Sequence, residues 1–220
     1  RSTSSFASSL RNLAGAYLGV RGLSSLFNLS DTMTQNTARL DSMGEKFDIT
    51  MNQIYESAQR SRGALMGTAD MVYKLGNLAG EAFNSSQELV EFAEQLNKQI
   101  TLSGASTVAA DAAMLQLTQA MSSGVLRGEE LNSILEQTPT IAKTIADYMG
   151  VSTGQMREMA SEGQVTAEVV KNALLGAADE VNAKFEQMPM TWGQVWTSFK
   201  NTAIMAVQPV LTAINWMANN

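Results

Sequence analysis

The sequence predicts an all-α protein, a compact multi-helix bundle of about seven short helices flanked by longer N- and C-terminal helices. Three observations predict it. Apolar residues recur at helical spacing almost from end to end. No run of alternating β-branched residues marks a strand. Side chains suited to starting a helix stand just ahead of several apolar stripes.

Residues 1–48 read as an N-terminal extension of one or two long, weakly capped helices, with Gly15, Gly19 and Gly22 among small residues. Residues 49–188 read as the main helical domain. Within it, Thr50 with Gln53, Ser85 with Glu88 and Ser152 with Gln155 have the spacing of a capping box: the hydroxyl takes the N–H three residues on, and the later side chain reaches back. Leu89, Phe92, Ala93, Leu96 and Ile100 form one stripe; Val165, Val169, Ala173, Ala177, Val181 and Phe185 form another. Thr138-Pro139 fits an N-cap followed by proline at the first helical position, where no intrahelical donor is lost. Gly104, Gly128, Gly150 and Gly163 are the expected stops and turns. Residues 189–220 read as a last long helix. Thr191 with Gln194 starts it, Trp192, Val195, Trp196, Phe199, Ala203 and Val207 stripe it, and Pro209 is expected to bend or end it. Opening at Arg1 and stopping at Asn220 inside a helical pattern, the chain reads as a piece of something longer.

Composition narrows the chemistry. The 220 residues contain no histidine and no cysteine, which removes Ser-His-Asp and Cys-His catalysis, disulfides and zinc sites built on nitrogen or sulfur. A net charge of −6 argues against a duplex-binding module, since phosphate neutralisation needs clustered cations. The charge is uneven: residues 1–62 hold seven Lys/Arg against five Asp/Glu, and 63–220 hold eight against sixteen. No signal peptide opens the chain, and the apolar stretch 202–218 is broken by Gln208, Pro209 and Asn215, short of a membrane span.

Several motifs invite a function and also admit a plain reading. Residues 145–160 have the shape of a helix-turn-helix, with Gly150 at the turn, Val151 and Met156 as core plugs, and Thr153, Gln155, Arg157 and Glu158 outward. Three cations against four anions between Pro139 and Leu175 favour a structural turn. Glu129 and Glu130 suit the positive end of a helix dipole, while Asp179-Glu180 and Glu88, Glu91, Glu94 read as solvated helix faces. No nucleotide-binding or EF-hand pattern is present, and no catalytic, cofactor-binding or metal-binding residue is expected. Most of the fourteen methionines read as core filler; Met149, Met156 and Met159 with Tyr148 are the set to watch as an interaction surface.

A longer pattern runs through the middle of the chain. Leu102-Ser103-Gly104-Ala105-Ser106, Leu115-Gln116-Leu117-Thr118-Gln119-Ala120 and above all the unbroken run from Gly124-Val125-Leu126-Arg127-Gly128-Glu129-Glu130-Leu131 to Glu136-Gln137-Thr138-Pro139 resemble the tape measure domain of tailed-phage and prophage tail proteins. The resemblance extends upstream through Ala69-Asp70-Met71-Val72-Tyr73 and downstream through Met149-Gly150-Val151, Glu162-Gly163 and Met188-Pro189-Met190, covering residues 58–201. Gln59-Arg60-Ser61-Arg62 departs from the Thr-Arg pair the family often has there. The resemblance implies a virion structural protein that sets tail length, assists tail assembly and leaves the tube at genome ejection. Its implied partners are tail tube subunits, tail assembly chaperones and other tail-tip proteins, with self-association, membrane contact during ejection and no specific nucleic-acid recognition. Its implied place is the phage tail, and the host cytoplasm during assembly. It carries over no catalytic residue and no cofactor. The motif residues it marks for structural or partner contact are Gly104, Gln116, Gln119, Gly124, Leu126, Arg127, Gly128, Glu129, Glu130, Leu131, Glu136, Pro139, Gly150 and Gly163. A helix-turn-helix regulator using 146–160 and a membrane-active module using Tyr17 to Leu29 and Trp192 to Met217 are the alternatives.

Overall fold

In a computed structural model, residues 20–219 are described; Gly15, Gly19 and Tyr17 lie outside them. The chain runs through α1 (Val20–Ser42), α2 (Met51–Arg60), α3 (Leu65–Ala79), α4 (Ser86–Leu102), α5 (Thr107–Ser123), α6 (Gly128–Gln137), α7 (Pro139–Met149), α8 (Thr153–Ser161), α9 (Ala167–Gly176), α10 (Ala178–Gln187) and α11 (Trp192–Asn219). Short 3-10 turns at Gly44–Lys46 and Gly80–Ala82 follow α1 and α3. The all-α expectation holds among the described residues.

Helix α4 is the axis. It packs against α2, α3, α7, α9 and α10, so its surroundings are protein on nearly every side. Leu89, Phe92, Ala93, Leu96 and Ile100 are buried as the stripe predicts, and so are Glu94, Gln95, Lys98 and Gln99. Each fully buried Leu, Ile or Phe stabilises by about 1.5–3 kcal/mol, and Phe83 adds an edge contact to Phe92 with centroids 5.2 Å apart. Gly76 on α3 permits the close approach of α4 and of Met43 in the turn after α1: a Cβ there would sit 2.5 Å from Met43 Sδ and 3.0 Å from Leu89 Cδ2.

The outer helices close onto this core. Helix α1 packs on α3 and α11, and Met33, Leu40 and Leu211 join the same apolar cluster as α4. Ser30 Oγ donates to the Leu211 carbonyl at 3.1 Å. Helix α11 continues through Pro209 rather than ending there. The proline sits on an exposed face, where one lost backbone bond is offset by the anchoring of the next turn at Leu211.

The capping logic holds in detail at some starts and differs at others. Thr50/Gln53 and Ser152/Gln155 form reciprocal capping boxes, and Thr191/Gln194 makes both bonds, at 3.2 and 3.0 Å. Ser85 accepts from the Glu88 N–H, but the Glu88 carboxylate takes the Asn84 N–H at 2.6 Å instead of closing the box. Thr138 does not cap α7 with its side chain; its hydroxyl donates back to the Ile134 carbonyl, so one residue ends α6 and begins α7. The stripe 165–185 is two helices. The Ala177 N–H bonds back to Ala173 and Leu175, closing α9 before α10 starts. Nine helices therefore occupy 49–188, where seven or so were expected.

Candidate partner-contact site

The motif block builds a corner. Helix α5 ends at Gly124, whose φ of +83° is open to glycine and costs an L side chain about 1–2 kcal/mol. Ser123 Oγ donates to the Val125 carbonyl at 2.9 Å and tightens the turn. The chain then runs extended beside residues 165–167: the Leu126 N–H donates to the Val165 carbonyl at 2.7 Å, and the Ala167 N–H to the Gly124 carbonyl at 2.8 Å. Leu126 and Leu131 are fully buried on either side of the α6 start. Gly128 opens α6 instead of stopping a helix, because Arg127 is the N-cap and the stop has already been made at Gly124. Glu129 and Glu130 stand in the first turn of α6, where its dipole favours negative charge.

This corner brings together Gly124 through Leu131, with Gly163 two residues ahead of the paired Val165. A second junction forms between α4 and α7: Ser103, next to Gly104, shares a short hydroxyl contact with Thr140, next to Pro139, and Thr140 Oγ1 donates to the Gln99 carbonyl at 3.0 Å. Gly150 closes α7 in the left-handed region, apart from both junctions. Of the polar motif residues, Gln119, Arg127, Glu129 and Glu136 are exposed, Gln116 is half-buried, and Glu130 is half-buried with Oε2 enclosed and lacking a hydrogen-bond partner. The set thus divides into residues that make the α5–α6–α9 and α4–α7 joints and residues that face outward.

Two other candidate features take a different form in the fold. The carboxylates of α4 are not all a solvated face. Glu94 is buried, paired with Lys98 at 2.7 Å and with Arg60 NH2 at 2.8 Å, and Lys98 also donates to Asn182 Oδ1 at 2.7 Å. The Glu94 hydrogen bond holds the Arg60 guanidinium above its ordinary range against the opposing effect of burial. Burial pushes the Glu88 carboxyl up, yet the Asn84 N–H and the buried Lys171 outweigh it and hold the group below its ordinary value. Arg60, Glu94, Lys98 and Asn182 line a groove of about 730 Å³ between α2, α4 and α10; these central charges are saturated by one another. The methionine set is likewise not a surface: Met156 is fully buried, and Met149 and Met159 pack against the core, leaving Tyr148 exposed.

Sequence reasoning missed the residues that tie the ends of the fold together. Arg62 adopts φ of +56° and turns its guanidinium over the Phe185 ring at 4.4 Å, donating to the Met188 carbonyl at 2.8 Å and the Phe185 carbonyl at 3.2 Å. Asn201 of α11 accepts from the Leu65 N–H at 2.9 Å and donates to the Gly63 carbonyl at 2.8 Å. It supplies from a distant helix the cap that α3 lacks locally, since Ala64 has no side chain to do so.

The helix-turn-helix shape is real, with α7 and α8 joined through Gly150, but α8 presents Arg157 beside Glu158 outward, and electrostatic attraction to phosphate needs more than one uncancelled cation. No helix among the described residues is long and apolar enough to cross a membrane. No cluster of three or more acidic or other metal-ligating side chains is found among them. Compared with known proteins, residues 24–210 match the family described as tape measure protein. No curated protein and no solved structure matches the chain. The match spans most of the sequence and encloses both joints of the motif block, and the chain therefore belongs to the tape measure protein family, structural proteins of phage tails.

Proposed function

We propose that this domain is a folded module at one end of the tail ruler, and that tail length is counted by helical sequence elsewhere in the protein. The observation that supports this is the breaking of residues 20–219 into eleven helices around α4. A ruler needs constant rise, which a continuous helix supplies at about 1.5 Å per residue, and a packed bundle has no such proportion between residues and length. The three-part division of 1–48, 49–188 and 189–220 stands in this reading as a central body with two flanking helices, α1 and α11, folded back onto it. Tube subunits, assembly chaperones and other tail-tip proteins would meet its exposed motif residues Gln119, Arg127, Glu129 and Glu136. Copies of the module would meet each other in the assembling tail, in the host cytoplasm. A single helix is already about 10–12 Å across, so passage through a narrow tube at ejection requires the bundle to open.

The test is an in-frame deletion of residues 24–210 in the phage, with tail length read by electron microscopy. The proposal expects failed tail assembly, or tails of unchanged length. Tails shortened by about 280 Å, in proportion to the residues removed at helical rise, would overturn it.

A further inference from the structure

Helix α11 is amphipathic the wrong way round over its first three turns. The face turned to the body carries Gln194, Thr197, Ser198 and Asn201, with Asn201 only 2% exposed, whereas the face turned to solvent carries Trp192, Val195, Trp196 and Phe199. These four have the i, i+3, i+4, i+7 spacing that ordinarily faces a core. Here Trp192 is 88% and Phe199 55% exposed, and Trp196 and Phe199 stack with centroids 5.4 Å apart. The polar face is fixed inward by the Asn201 bonds to Leu65 and Gly63, so the aromatic face cannot turn in without breaking the cap of α3. An exposed contiguous apolar patch of this kind marks an interaction surface.

We propose that the first turns of α11 dock against the same turns of a second copy of this chain. Three features favour that occupant. The spacing is self-complementary: a two-fold axis between Val195 and Trp196 sets the Trp192 of each copy against the other's Phe199, and each Val195 against the other's Trp196, the reciprocal pairing an isologous contact requires. The surface carries almost no charge, because Lys200 is the single charged residue in the whole of α11, so two copies meet there without repulsion between carboxylates despite the net −6 of the chain. The area is compatible with a small interface. With Met190 beside them, the exposed parts of these side chains amount to about 600 Å² per copy, so a pair covers at most about 1,200 Å², at or below the lower end of what specific interfaces bury. This deepens the self-association included in the tail reading and rests on that reading for its place in the tail.

The test is the mass of the chain by sedimentation equilibrium across a concentration series up to about 100 µM, the affinity range expected of a small interface. The expected result is a shift from 23.7 kDa to twice that mass. Trp196→Glu and Phe199→Glu should each abolish the shift, and Leu115→Glu, at an exposed apolar position on α5, should leave it intact. All three side chains are exposed, and unchanged helical circular dichroism confirms that each variant folds. A wild-type chain that stays monomeric throughout overturns the proposal, including one that stays monomeric while binding lipid vesicles. So does a dimer that persists in both α11 variants. None of these results alters the tail-length outcome of the deletion, so the two ideas fail separately.

Discussion

Arg62 shows how much one side chain can hold. Its left-handed backbone is unfavourable for a residue with a Cβ, and the cost is offset by two charge-assisted hydrogen bonds to the end of α10 and by the Phe185 ring beneath it. Arg62→Ala keeps the strained backbone and removes every compensating contact, so it is expected to lower unfolding free energy by about 2–3 kcal/mol in urea titration. Glu88 makes a pH-dependent contribution. Its folded pKa lies below the unfolded value, so its stabilisation is fully present above about pH 4.3 and is lost as pH falls through the depressed folded value. Urea midpoints measured from pH 7 to pH 3 should therefore fall less steeply in Glu88→Gln than in the parent. The variant should also be weaker at pH 7 because Lys171 loses its charged partner. Neither role was legible in the sequence. The Glu88 carboxylate reads as half of a capping box or as a solvated face, and only the fold brings Lys171 within 3.1 Å.

At the scale of elements, local chemistry predicted most boundaries and tertiary contacts decided the others. Reciprocal Ser/Thr and Gln caps lie within four residues of chain and form as written. The break at Ala177 is marked locally only by Gly176 and interrupts an unbroken apolar stripe, so periodicity alone runs α9 and α10 together. Helix α3 starts without a local cap because Asn201, 136 residues away, supplies it. Asn201→Ala should leave the buried Leu65 N–H unsatisfied, at a cost of about 1–3 kcal/mol. Hydrogen exchange should then show α11 and the first turn of α3 losing protection together, while α4 keeps its own. The stripe on α11 was visible in the sequence, but its direction was not: spacing shows that four apolar residues share a face and says nothing of whether that face looks inward. The buried polar face opposite settles it.

For the whole molecule, the all-α class follows from helical periodicity and the lack of alternating segments, and the motif block was recognisable residue by residue. The arrangement was less legible. That α4 would be enclosed on nearly every side depends on Glu94 and Lys98 neutralising each other in the interior, and a sequence pattern counts both as surface residues. Likewise the block from Gly124 to Leu131 looks like a functional signature, yet Leu126 and Leu131 act by filling the core and the backbone acts by pairing with Val165 and Ala167. The central claim is that these residues form a packed body rather than a length of rod. Small-angle X-ray scattering of the isolated chain, extrapolated to low concentration, tests it most directly. A packed body of this length predicts a radius of gyration of about 17 Å, whereas a continuous helix of the same residues is about 300 Å long and would give about 90 Å, contradicting the account.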